Sequence, residues 1–130
     1  MTNNLVSKTE KDFESIKHVD KNGTEFWYAR ELMIMLEYSK WGNFIKVIDK
    51  AKESCKNSNI NVLEHFADVG KTSKMPNGGE KIIDDFQLTR YACYLIAQNG
   101  DSRKKTIALA QTYFAIQTRK QELTRQGLRQ

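Results

Sequence analysis

The side chains able to do chemistry in this chain are few and scattered. His18, His65, Cys55 and Cys93 share no Cys-x-x-Cys or His-x-x-x-His spacing, so they do not form the convergent donor set that a zinc site needs. Cys93 falls in an apolar run, Tyr91-Ala92-Cys93-Tyr94-Leu95-Ile96, where a thiol stays protonated and inert. The adjacent carboxylates Asp84-Asp85 could do acid–base work. Neighbours at a strand-to-helix junction tend to point apart, however, and capping of the following helix accounts for the pair. No glycine loop ends in Lys-Ser/Thr, and no Gly-x-Gly-x-x-Gly follows a strand, so no motif for cradling a nucleotide phosphate is present. The expectation is a protein that is not an enzyme and carries no metal and no cofactor.

Charge is the more informative chemistry. Residues 1–66 hold ten Lys/Arg and ten Asp/Glu, whereas residues 67–130 hold eleven and six, so the net +5 lies wholly in the second half. Such asymmetry suits an anionic partner, with nucleic acid the first candidate, although a charge run is also what a solvated helix face looks like. The cations fall into two groups. Lys71, Lys74 and Lys81 flank a turn. Arg103, Lys104 and Lys105 open the last helix, and Arg119, Lys120, Arg125 and Arg129 follow at its far end. Three cations at a helix start oppose the macrodipole, which is tolerable beside an anion. Contacts of this kind go to phosphates and set affinity, not base preference.

The elements that must position these residues follow from patterning. A chain of 130 residues with 39% hydrophobic and 10% aromatic content supports one domain with a real core. It has no apolar run of about 18 residues, and its N-terminus lacks the layout of a signal peptide. With two cysteines read as reduced thiols, the expected location is cytoplasmic, away from any membrane. Residues 1–12 read as a flexible polar tail, 13–123 as the domain, and 124–130 as a frayed tail containing Gly127. Asp20-Lys21-Asn22-Gly23 predicts a hairpin with strands near 14–19 and 24–28, both turn positions taking positive φ. Helices are predicted over 29–36, from a Ser39 cap through Ala51, and briefly over 62–66 with Asn59 or Asn61 as cap. Met75-Pro76-Asn77-Gly78-Gly79 predicts the tip of a second hairpin or wing. Two helices complete the chain. Asn99-Gly100 stops the first with glycine at a left-handed C′ position, and Asp101 or Ser102 caps the second. The run from Ile107 to Ile116 is apolar on nearly every face, which places it in the core or under a partner. The fold class is therefore α+β, an N-terminal β-hairpin and a second hairpin or wing packed on about five helices.

The stretch Leu88-Thr89-Arg90-Tyr91-Ala92-Cys93-Tyr94-Leu95-Ile96-Ala97-Gln98-Asn99-Gly100-Asp101 resembles the signature of the DNA-damage-inducible protein D family. So do Ala110 to Arg119, Gln121-Glu122-Leu123, Trp27-Tyr28-Ala29-Arg30-Glu31-Leu32, Leu36-Glu37-Tyr38-Ser39 and Ala51-Lys52-Glu53-Ser54-Cys55. The resemblance spans about residues 13–123. It implies kinship with the Bro-N domains of phage antirepressors and viral Bro proteins, a hairpin-and-helix domain thought to bind DNA. It also implies a role in the SOS response, where family members modulate the RecA recombinase and its filament on single-stranded DNA. Members usually continue into a mostly helical C-terminal half, so the chain is read either as an N-terminal domain or as a shorter phage relative. The expected partner is single- or double-stranded DNA, a recombinase or repressor protein, or both. The alternative is an antirepressor-like interaction module that forms a homo-oligomer through the 102–120 helix without binding DNA. Arg90, Tyr91, Tyr94, Gln98, Asn99 and Gln117 either build the joint between the last two helices or line a surface, with Arg90 on it, for nucleic acid or a protein.

Overall fold

The expected N-terminal tail is helical. The computed structural model describes residues 4–128, and helix α1 already spans Asn4–Ser15. Val6, Thr9 and Phe13 are buried along one side of it, a spacing of three and four residues that lays them on one helical face. The Thr9 hydroxyl is satisfied by donating to Leu5 O at 3.0 Å. The strand expected from residue 14 shrinks to β1, His18–Val19, paired with β2, Glu25–Tyr28.

The connection between β1 and β2 also differs from expectation. Gly23 has φ +84° but Asn22 is not in the left-handed region. The Asp20 carboxylate holds the loop by accepting from Asn22 N at 2.8 Å and Thr24 N at 2.9 Å. This is a longer loop with one left-handed glycine, in place of a two-residue turn. The loop at Met75–Gly79 repeats the arrangement. Gly78 has φ +88°, and the Met75 and Gly79 backbones are joined by a 2.7 Å hydrogen bond.

Helix α2 is Ala29–Met35, α3 is Trp41–Asn57 and α4 is Val62–His65. The N-cap of α3 is Lys40, without a side-chain cap, and not Ser39. Asn61 does cap α4, accepting from Leu63 N at 3.0 Å. Strands β3, Phe66–Lys74, and β4, Glu80–Leu88, form the second hairpin. Helices α5, Arg90–Asn99, and α6, Lys105–Leu128, close the chain. Helix α6 thus runs to Leu128, into the 124–130 segment expected to fray. The described residues form six helices and a four-stranded antiparallel sheet of order β1-β2-β4-β3, an α+β architecture.

One face of the sheet carries Trp27, Phe66, Phe86 and Leu88, which pack with Phe13, Phe44, Ile48, Ile96 and Ile107 into the core. The Asp84-Asp85 pair lies inside β4 and does not cap α5. That task falls to Thr89, whose hydroxyl accepts from Ala92 N at 3.1 Å. Asp85 caps a different helix. Its Oδ1 accepts from Arg30 N at 3.0 Å, in the first turn of α2, and from Phe86 N at 2.8 Å. Tyr28 precedes α2 and offers no cap of its own, so a carboxylate from across the sheet supplies it.

Gly100 is not left-handed either, since its φ is −80°. Its role is close approach. A Cβ there would lie 2.9 Å from Ile107 Cδ1 and 3.1 Å from its Cγ2, and Ile107 is fully buried. Gly100→Ala is therefore expected to cost about 1–3 kcal/mol by overpacking, measured by urea unfolding. Adding Ile107→Val, which removes the nearest methyl, should recover part of that loss.

Candidate nucleic-acid interface

The β3–β4 hairpin leaves the body as a two-stranded ribbon. Its nine residue pairs run from Phe66↔Leu88 to Lys74↔Glu80, but β2 accompanies only Leu88 and Gln87 of β4. No residue from 67 to 84 is buried. Both faces of the outer ribbon are therefore open, and Ile82 stands 78% exposed on it.

The register sorts the expected lysines. Antiparallel partners share a face, so Lys81, opposite Ser73, and Lys71, opposite Ile83, lie on one side. Lys74, opposite Glu80, lies on the other with Thr72 and Ile82. Lys71 is already engaged. Its Nζ sits 3.3 Å from the buried Asp85 Oδ2 and 3.9 Å from the centre of the Tyr28 ring. That Oδ2 has no hydrogen-bond partner among the described residues, so Lys71 compensates it through charge. Lys74 and Lys81 are exposed and make no ion pair with a described residue.

The second basic group does not act as a cluster at a helix start. Arg103 and Lys104 precede α6. Arg103 closes on Asp101 with distances of 2.9 and 3.0 Å, and this hydrogen bonding holds the Asp101 carboxyl below its ordinary range. Lys104 donates to Glu37 O at 2.9 Å and covers the Tyr38 ring at 4.6 Å, tying the end of α2 to the last turn before α6. Lys105 is exposed at the first position of α6, and Arg119 and Lys120 are exposed about 20 Å further along it. Arg129 and the side chain of Arg125 lie outside the described residues.

Arg90 is a structural joint. It donates to Glu25 at 2.9 Å, to Glu14 at 3.2 Å and to the Tyr113 hydroxyl at 3.3 Å. Lys17 completes the network, 3.7 Å from both carboxylates. Two cations and two anions thus join α1, β2, α5 and α6. Burial works against the Arg90 charge, but the hydrogen bonds to Glu25 and Glu14 outweigh it and raise its pKa. The Arg90 bond in turn holds the Glu25 carboxyl below its ordinary value, against a smaller effect of burial. A carboxylate depressed in the folded state stabilises above its unfolded pKa, near 4.3, and loses that contribution as pH falls through its folded value. Wild-type stability should therefore drop as pH falls below about pH 5. Glu25→Gln should show a shallower drop, read from urea midpoints across that range.

One feature escaped the sequence reading, and a second gathers residues that reading had singled out. Phe26 and Tyr28 alternate with the buried Trp27, and so face outward beside His18. The His18 ring lies 5.4 Å from Phe26 and 4.9 Å from Tyr28, and its Nε2 donates to Glu31 at 2.6 Å. This aromatic group shares the sheet face of Lys71 and Lys81. The period-two alternation was the available signal. The second feature is a cleft of about 340 Å³ between α5 and α6. Arg90, Tyr91, Tyr94 and Gln117 line it, whereas Asn99 turns away to bond Leu95 O at 2.8 Å.

Among the described residues no group of His, Cys, Asp or Glu could hold a metal ion. Both cysteines are free and buried, and burial pushes the Cys93 thiol well up. No described helix is long and apolar enough to cross a membrane.

The chain folds as a hairpin-bearing α+β domain with a projecting ribbon, and residues 15–115 match the family model described as "BRO family, N-terminal domain". The chain belongs to that family. It is also 45% identical over 118 residues to DNA damage-inducible protein D of Escherichia coli (strain K12), a match covering 91% of this chain and 43% of that protein. The chain thus spans less than half the length of that relative. No solved structure matches it at a significant level.

Proposed function

We propose that this domain is a non-enzymatic regulatory module of the DNA-damage response or of phage regulation, and that it binds DNA through the β3–β4 ribbon. The observation that carries this reading is the ribbon itself. It is a paired two-stranded arm with no buried side chain from 67 to 84, and its opposite faces carry Lys74 and Lys81, both exposed and without an ion-pair partner among the described residues. A ribbon of this width fits the major groove of B-DNA, and lysines on both faces can meet the phosphates of both groove walls. Lys105, Arg119 and Lys120 extend the basic character along α6. Family membership and the relative's name, DNA damage-inducible protein D, agree with this reading.

Fluorescence anisotropy on labelled duplex and single-stranded DNA across a salt series tests it. Binding should be measurable at low salt and weaken steeply as salt rises. Absence of binding at low salt would overturn the reading.

A second reading has its own observation. Ile116 and Leu123 lie seven residues apart on α6 and are 40% and 49% exposed, so this helix presents an apolar stripe to a second copy, a repressor or a recombinase. A stable oligomer in sedimentation, abolished by Ile116→Glu with Leu123→Glu, and no salt-sensitive DNA binding would favour it.

A further inference from the structure

We propose that the cleft between α5 and α6 binds one unpaired nucleobase of a single strand. The proposal deepens the DNA-binding reading and rests on it, but the ribbon plays no part in it.

Three properties of the cleft converge. Its walls are aromatic: Tyr91, Tyr94 and Phe114 line it, with Tyr91 and Tyr94 at 6.2 Å in near-parallel array and Tyr94 edge-on to Phe114 at 5.8 Å. Its polar groups are amides and hydroxyls. Gln117, Thr118 and Gln121 line the α6 side, and the Gln117 and Gln121 amides carry no hydrogen bond among the described residues. Gln111 on the same helix, by contrast, is spent on Ala97 O at 2.9 Å. Unengaged amides offer both donors and acceptors, as the edge of a base requires. Finally, the cleft is neutral. Arg90 at its margin is matched by Glu14 and Glu25, with Lys17 closing the balance. A phosphate could use Arg90 only by breaking that network.

A neutral flat group with hydrogen-bonding edges therefore fits better than an anion. A volume of about 340 Å³ lies at the small-ligand end of binding clefts. The phosphate beside such a base has a partner close by. Lys120 is exposed and lies three residues after Gln117, on the adjoining helix surface. Stacking on tyrosine and pairing of base edges with side-chain amides is how proteins hold bases free of a duplex. A base within a duplex cannot enter a cleft in this way.

The test compares two labelled strands of equal length and charge, oligodeoxythymidylate and a fully abasic strand, binding to the 130-residue chain at fixed low salt. The thymidylate strand should bind roughly tenfold tighter or more, the scale of one base stacked on an aromatic side chain. Tyr94→Ala should bring it down to the abasic level. Gln117→Ala, at a half-buried helix position with no side-chain hydrogen bond to a described residue, should remove part of the same difference. Lys74→Glu with Lys81→Glu should leave the ratio between strands unchanged. Equal affinity of the wild type for both strands would overturn the base site while leaving the ribbon reading intact. A strand preference in a chain that ignores duplex DNA would keep the base site and overturn the ribbon. Binding of neither strand overturns the base site, and the ribbon then stands or falls on duplex binding.

Discussion

Trp27→Ala is expected to destabilise the domain by about 3–5 kcal/mol, a large share of the 5–15 kcal/mol that holds a typical domain folded. Trp27 is fully buried at the centre of the sheet, in register with Leu88. Its ring stacks on Phe13 at 4.4 Å and 8°, and Phe13 in turn meets Phe114 edge-on at 5.2 Å. The indole Nε1 also donates to Phe13 O at 2.9 Å, satisfying a carbonyl in the last turn of α1. Alanine would leave a cavity, an unpaired carbonyl and a helix with little to dock on. Denaturant unfolding and hydrogen exchange measure the effect, and α1 should be the first segment to lose protection. A loss under about 1 kcal/mol would mean that α1 is not anchored through this stack.

The second large effect concerns function. Lys74→Glu with Lys81→Glu is expected to weaken DNA binding roughly 10- to 100-fold at moderate salt, equally for all sequences, because both lysines would pair with phosphates and not with bases. The fold should be little affected, within about 0.5 kcal/mol, since neither lysine holds a described partner in place. Lys71 is the wrong residue for this experiment. Reversing its charge would set a carboxylate against the buried Asp85, and the resulting instability would mimic impaired binding. The lysine cluster visible in the sequence thus holds two positions suited to phosphate contact and one that supports the fold.

Most elements were legible because their patterns are strong. The spacing of Phe44, Val47, Ile48 and Ala51 marks α3, although the helix runs on to Asn57; Asn61 caps α4 as expected, and Pro76 with Asn77-Gly78-Gly79 marks the ribbon tip. Helix α1 was missed because only two apolar residues, Val6 and Phe13, and one threonine form its buried stripe; tertiary packing on Trp27 and α6 holds it, not composition. Asp85 was assigned to the wrong helix because its partner, Arg30 N, is 55 residues away, and local sequence carries no trace of such a contact. Gly100 does end α5 as expected, but not in a left-handed conformation; the space taken by Ile107 is what demands glycine there.

The basic residues illustrate the same limit. Their number and uneven placement could be read from the chain, but whether each cation is free depends on neighbours distant in sequence. Arg90 is bound by Glu14 and Glu25, 76 and 65 residues away, and Lys104 by the carbonyl of Glu37, 67 residues away. The signature residues Arg90, Tyr91, Tyr94 and Gln117 do come together at one cleft, with Arg90 serving as its neutralised margin.

The most direct single measurement is the slope of log Kobs against log salt for one DNA duplex, taken for the wild-type chain and for the Lys74→Glu, Lys81→Glu variant. The expected result is a steep negative slope for the wild type, shallower by about two in the variant, with the two affinities converging at high salt. Identical slopes, or no wild-type binding at the lowest salt, would contradict DNA binding through the ribbon.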